Sequence, residues 1–237
     1  FTAGSVVMTV GCAGAMNTAL KAILDPGDEV LVLMPFFPDY QFYIGNHGGR
    51  MVAVETKEDF SLDVAAVESK ITPKTRAILL SSPNNPTGAV YSAGQLRGLE
   101  AVLQRADHTI VVISDEPYKH FVYDGGKAPE IASHLSNCII TTSYSKTWAL
   151  AGERIGYLAI SPKLPGAEAL SHACTFTNRV LGFINAPAIW QQVIEEAPEV
   201  LPDLSLYQDK RDLMCDALAA MGYDVHKPEG AVYVIQK

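Results

Sequence analysis

The sequence predicts an α/β protein: a three-layer α/β/α fold around a mostly parallel sheet of seven strands. Three observations carry that expectation. Seven short apolar or β-branched runs, at 5–10, 30–34, 51–55, 77–81, 110–114, 138–142 and 156–160, read as buried strands. Most are separated by segments of helical period, which argues parallel pairing through right-handed crossovers. The chain of 237 residues, 48% hydrophobic and 19% charged, is large enough to bury a sizeable core and shows no sign of disorder.

The first strand runs directly into Gly11-Cys12-Ala13-Gly14, and a helical segment at 15–24 follows, closed by Asp25-Pro26-Gly27-Asp28. A strand, a small-residue turn and a helix start can cradle an anion, because free amides and the helix dipole point at it. Tight packing of helix on strand would select the same small residues. The second strand ends at Pro35-Phe36-Phe37-Pro38. An aromatic there can stack on a planar ring or serve as ordinary core. Helical stretches to about 46 and over 63–70 flank the third strand. The fourth strand runs into Ser82-Pro83-Asn84-Asn85-Pro86-Thr87-Gly88, a stiff loop in which Asn either bonds its own turn or points at a ligand. A helix at 94–105 leads to the fifth strand and Asp115-Glu116-Pro117-Tyr118. An acid at the end of an apolar strand needs a partner, or else caps a helix. After the seventh strand, 165–181, 185–196 and 199–221 read as helices.

Between the last two strands lies Thr141-Thr142-Ser143-Tyr144-Ser145-Lys146, with Arg154 eight positions after the lysine. A lysine at the end of a buried strand is rarely there without a partner or a task. Imine formation with an aldehyde fits, given an amine kept partly neutral by desolvation or a nearby cation. Ser143, Ser145 and Arg154 suit the oxygens of a phosphate. An aldehyde and a phosphate on one molecule point to pyridoxal 5′-phosphate. Taken alone, the stretch also fits an exposed loop with an ordinary lysine. Ligands of parallel sheets, however, sit beyond the carboxyl ends of the strands. The glycine turn, Phe37, Asn85, Asp115 with Tyr118, and Lys146 all fall at that edge.

A formal charge of −8 argues against a nucleic-acid or anionic-membrane surface, so a bound phosphate must be held locally. The four cysteines, Cys12, Cys138, Cys174 and Cys215, are scattered and read as free thiols of a reducing compartment, with cytoplasm as the default. The six histidines show no metal-ligand spacing, and no metal is expected. No apolar run is long enough to cross a bilayer. Phe1 is not a start residue and 223–237 reads as the opening of another unit, so a piece of a longer chain is expected.

The sequence resembles the fold-type I pyridoxal-phosphate enzymes of the class I/II aminotransferase group. The matching motifs are Pro83-Asn84-Asn85-Pro86-Thr87-Gly88, Asp115-Glu116-Pro117-Tyr118, and Ser143-Tyr144-Ser145-Lys146 through Glu153-Arg154-Ile155-Gly156, in the family's order. The resemblance runs from about 6 to about 230. It implies that Lys146 holds the cofactor as an imine and moves the proton at the substrate Cα. It implies that Asp115 pairs with the pyridine nitrogen. Tyr118 and Asn85 would bond the phenolic oxygen and Phe37 would stack on the ring. The amides around Gly11, Cys12 and Ala13 would hold the phosphate with Ser143 and Arg154. Many relatives offer a hydroxyl where Ala13 stands, which leaves more of the phosphate to Ser143, Arg154 and Ser145.

The resemblance further implies an amino acid and a 2-oxo acid as substrates and a homodimeric full-length protein. It divides the chain into a cofactor-binding large domain at 1–200 and, at 201–237, a connecting helix with the start of a small domain. The arginine that clamps the substrate carboxylate in the family comes from the small domain, and a phosphate-binding tyrosine often comes from the partner subunit. Neither region is recognisable here, and Arg179 has no motif that would make it the clamp. The rival readings are a carbon–sulfur β-lyase of the same fold and a non-catalytic effector domain of a regulator.

Overall fold

The structure, a computed structural model, describes residues 1–197 and 200–236. In chain order the main sheet and its helices are β1 (Val6–Thr9), α1 (Gly11–Ile23), β2 (Glu29–Met34), α2 (Asp39–Asn46), β3 (Arg50–Glu55), α3 (Val64–Lys70), β4 (Thr75–Ser81) and α4 (Ala93–Leu103). They continue with β5 (Val111–Asp115), α5 (Ile131–His134), β6 (Cys138–Ser143), α6 (Tyr144–Thr147), β7 (Gly156–Ile160) and α7 (Ala167–Val180). Then come α8 (Ala188–Glu196), α9 (Leu204–Ala220) and a hairpin-like pair, β8 (Val225–His226) and β9 (Ile235–Gln236). Glu199, expected to open the last helix, lies outside the described residues, as does Lys237; α9 begins at Leu204, where Asp203 accepts the amide of Ser205.

The seven strands stand in the order β1-β7-β6-β5-β4-β2-β3. All pairs are parallel except the two that β7 makes. The expected fold class is therefore present, with its single reversed strand at β7. Between β6 and β7 lie only α6 and a short 3₁₀ turn, too little for a crossover helix, so the chain doubles back antiparallel.

Burial explains why the strands read as continuous apolar runs rather than alternating ones. Along β2, Val30 and Val32 face one core with α1 and α7, while Leu31 and Leu33 face the other with α3 and α4. Along β4, Ala77 and Leu79 divide from Ile78 and Leu80 in the same way. Ser92 and Gln95 form a reciprocal cap at the start of α4, and Asp63 caps α3. With helices on both faces, the carboxyl edge of the sheet is left as the place where loops can gather a ligand.

Candidate active site

One cavity of about 230 Å³ at that edge is lined by residues from the ends of β2, β4, β5 and β6 and from the first turn of α1. Cys12, Ala13, Phe37, Asn85, Asp115, Tyr118, Ser143, Ser145, Lys146 and Arg154 all face it, so the structure brings together every expected site residue but Gly11. Gly11 is buried just behind the wall.

Asp115 forms the floor. It is the last residue of β5, 8% exposed, and no helix follows it, so the capping role is excluded. Its Oδ1 accepts the thiol of Cys12 at 2.7 Å, and its Oδ2 accepts the hydroxyl of Tyr40. Burial raises the Asp115 carboxyl. Burial, reinforced by the Asp115 charge, pushes the Cys12 thiol and the Tyr40 phenol well up, so both stay protonated donors. A buried carboxylate served by neutral donors alone keeps its appetite for a cation. Tyr40 was not foreseen. The available signal was its place three residues after Phe37, which puts both rings on one side of the turn into α2; they meet edge to face at 5.6 Å.

The first turn of α1 forms another part of the wall. Helix α1 starts at Gly11, four residues before the expected 15, so the small-residue turn is its first turn. No side chain caps the amides there. Arg154 lies across this end in the left-handed region, φ 53°, donating to Ala151 O at 2.9 Å and to Val10 O at 3.4 Å. A Cβ at Gly11, itself at φ 77°, would come within 2.9 Å of the guanidinium. Glycine there is what lets the cation seat on the helix end. Ser143 is 6% exposed at the end of β6, and Ser145, two residues on, faces the cavity.

Lys146 stands on the one-turn α6, just past the end of β6, and is exposed. Its ammonium lies 5.8 Å from the centre of the Tyr118 ring. The loop after β4 splits its two asparagines between the two readings. Asn84 accepts from the amide and hydroxyl of Thr87, at 3.1 and 2.9 Å, and holds the turn. Asn85 turns into the cavity, where its Nδ2 donates to Tyr233 at 3.4 Å. The Tyr118 hydroxyl meets the same Tyr233 oxygen at 2.6 Å. Burial first, then the Tyr233 hydroxyl, pushes the Tyr118 phenol up. Tyr233 reaches the site from the far end of the chain, and no local pattern marked it. Arg179 is exposed and away from the cavity. Arg211 is engaged by Asp124 at 2.8 Å and lies over the Tyr123 ring.

The comparisons with known proteins agree with this geometry. A family described as "Aminotransferase class I and II" matches residues 1–237. An aspartate/prephenate aminotransferase of Thermus thermophilus is 34% identical over 99% of this chain and 61% of its own length. An aromatic-amino-acid aminotransferase of Thermococcus litoralis is 34% identical over 98% of this chain and 60% of its own. A crystal structure of an aminotransferase from Eubacterium rectale superposes with a TM-score of 0.96 at 34% identity, covering 100% of this chain and 61% of that one. The chain thus spans about three fifths of the length of these relatives. On the strength of the full-length family match, this chain belongs to the class I and II aminotransferases.

Proposed function

We propose that the chain is the cofactor-binding part of a pyridoxal 5′-phosphate-dependent aminotransferase that moves an amino group from an L-amino acid to a 2-oxo acid. One observation carries this reading: a single cavity sets an amine, a buried carboxylate and an uncapped helix end with a guanidinium around one space. The fit to that cofactor rests on the donor set. The niche at Gly11 and Arg154 takes a phosphate, and Asp115 takes a protonated ring nitrogen, its two present partners being neutral. Asn85 and Tyr118 face the cavity from neighbouring loops with an amide and a hydroxyl, donors that suit the cofactor's phenolic oxygen.

When bound, pyridoxal 5′-phosphate supplies an aldehyde that condenses with amines and a ring that takes up electrons. The remaining work falls to the chain. Lys146 would hold the aldehyde carbon and would take the proton from the substrate Cα as general base. Asp115 holds a proton on the ring nitrogen; each pKa unit it adds there corresponds to about 1.4 kcal/mol. Phe37, which lines the cavity, would cover one face of the ring and keep water from it. Arg154 and the first-turn amides fix the phosphate, so that the reacting carbon stays within reach of Lys146.

The aminotransferase names of the relatives favour transfer over carbon–sulfur elimination, and they give no support to a non-catalytic effector. We place the cofactor-binding unit at 1–200 and the lead into a second unit at 201–237. A homodimer of the whole protein is in keeping with exposed apolar side chains such as Phe176 at 64% and Ile189 at 67%. Incubating the cofactor-loaded full-length protein with one amino acid tests the reading. Stoichiometric pyridoxamine phosphate supports transfer, whereas catalytic pyruvate and ammonia would show elimination instead.

A further inference from the structure

The stretch that carries Tyr233 is seated firmly in the wall of the cavity. The amide of Gly230 donates to Gly88 O at 2.9 Å, that of Ala231 to Phe121 O at 2.9 Å, and that of Tyr123 to Glu229 O at 2.9 Å. The Glu229 carboxylate accepts the amide of Val90 at 3.0 Å, and Ala231 is fully buried. Residues 229–231 are therefore pinned between the loop after β4 and the turn after β5, the two segments that bear Asn85 and Tyr118. From that footing the Tyr233 ring meets the Tyr118 ring edge to face at 5.7 Å.

Donor chemistry fixes one of the two hydrogen bonds, and either hydroxyl can donate in the other. Asn85 Nδ2 has hydrogens and no acceptor, so at 3.4 Å it donates to the Tyr233 oxygen. With that oxygen accepting, the single Tyr233 proton is free to point at Tyr118 Oη, 2.6 Å away. In that arrangement Tyr118 accepts, and its own proton can point outward into the cavity. We propose that Tyr233 is a positioning residue: ordered by Asn85, it donates to the Tyr118 hydroxyl and so turns and strengthens the proton that Tyr118 offers to the cofactor's phenolic oxygen. This rests on the function proposed above, because it needs that oxygen in the cavity.

The test is a spectroscopic pH titration of the cofactor chromophore formed with Lys146, in the 237-residue chain and in Tyr233→Phe, Tyr118→Phe and the double variant. A bond donated to the phenolic oxygen stabilises its negative charge and lowers the pH at which the chromophore loses its proton. Weakening that bond raises the pH. The charged groups that share the cavity, Asp115, Lys146 and Arg154, are the same in all four proteins. Tyr233→Phe is expected to shift the midpoint up by about half a unit to one unit, the size of one hydrogen bond. Tyr118→Phe should shift it further, and adding Tyr233→Phe to Tyr118→Phe should change nothing more. A merely structural role for Tyr233 would leave the midpoint where it is, which would overturn the proposal. An equal shift in both backgrounds would overturn it too, since Tyr233 would then act without Tyr118. A wild-type chain that forms no chromophore, or one whose chromophore survives Lys146→Ala, would remove the underlying function and this inference together.

Discussion

Asp115 and Arg154 both line the cavity, and they are held by different means. Arg154 offers charge-assisted hydrogen bonds worth about 1.5–3 kcal/mol, while a helix end contributes about 0.3–1 kcal/mol. Arg154→Ala should therefore weaken cofactor binding about ten- to a hundredfold, more than any single change in the first turn of α1, as measured by fluorescence titration. Glu116, beside Asp115 but facing away from the cavity, permits a second prediction. Burial raises its carboxyl from 4.5 to about 7, against the pull of Lys119. A folded-state pKa above the unfolded one means that the folded form binds more protons between those values. Stability is then lost as pH rises from 4.5 toward 7, by about 3 kcal/mol in all. Glu116→Gln should match wild type near pH 4 and melt higher than wild type at pH 8; equal melting at both would contradict the burial argument. Asn85, Asp115 and Lys146 could be read to one edge of the sheet because strand ends are legible from apolar runs. The sequence did not show Tyr40 and Cys12 as the partners of Asp115, because hydrogen bonds between distant loops leave no periodic trace.

At the scale of elements, the strands and most helices were legible within a few residues, and the shifts have causes. Helix α1 starts at Gly11 because the amides of a glycine turn are already a helix start, and α9 begins late because Asp203 caps it. The reversal of β7 was readable in principle from the lack of a full helix between 143 and 156. The seating of 228–233 was not, since the contacts join segments about 140 residues apart. Gly88 is the joint between them. At φ 72° it favours glycine, and a Cβ there would sit 2.6 Å from Gly230 O. Gly88→Ala should cost roughly 1–3 kcal/mol and free the segment. Hydrogen exchange would report it as faster exchange at the amides of Gly230 and Ala231, while the β4 and β5 amides stay protected.

For the whole molecule, the sheet is a frame that brings loops from β1, β2, β4, β5 and β6 to one edge, and the cavity is the consequence. Among the described residues only Lys146 and Arg154 bring positive charge to that cavity. Both are assigned to the cofactor, which leaves no cation for a substrate carboxylate. We therefore expect the 237-residue chain to turn over slowly or not at all with amino acid and 2-oxo acid, even when loaded. Robust steady-state turnover by this chain would show that carboxylate recognition lies within it. The central claim, that these loop ends gather around one pyridoxal 5′-phosphate anchored at residue 146, has a more direct test. The loaded protein is reduced with borohydride, digested, and mapped by mass spectrometry. The account predicts a phosphopyridoxyl group on Lys146 and on no other lysine; a label elsewhere, with Lys146 unmodified, would contradict it.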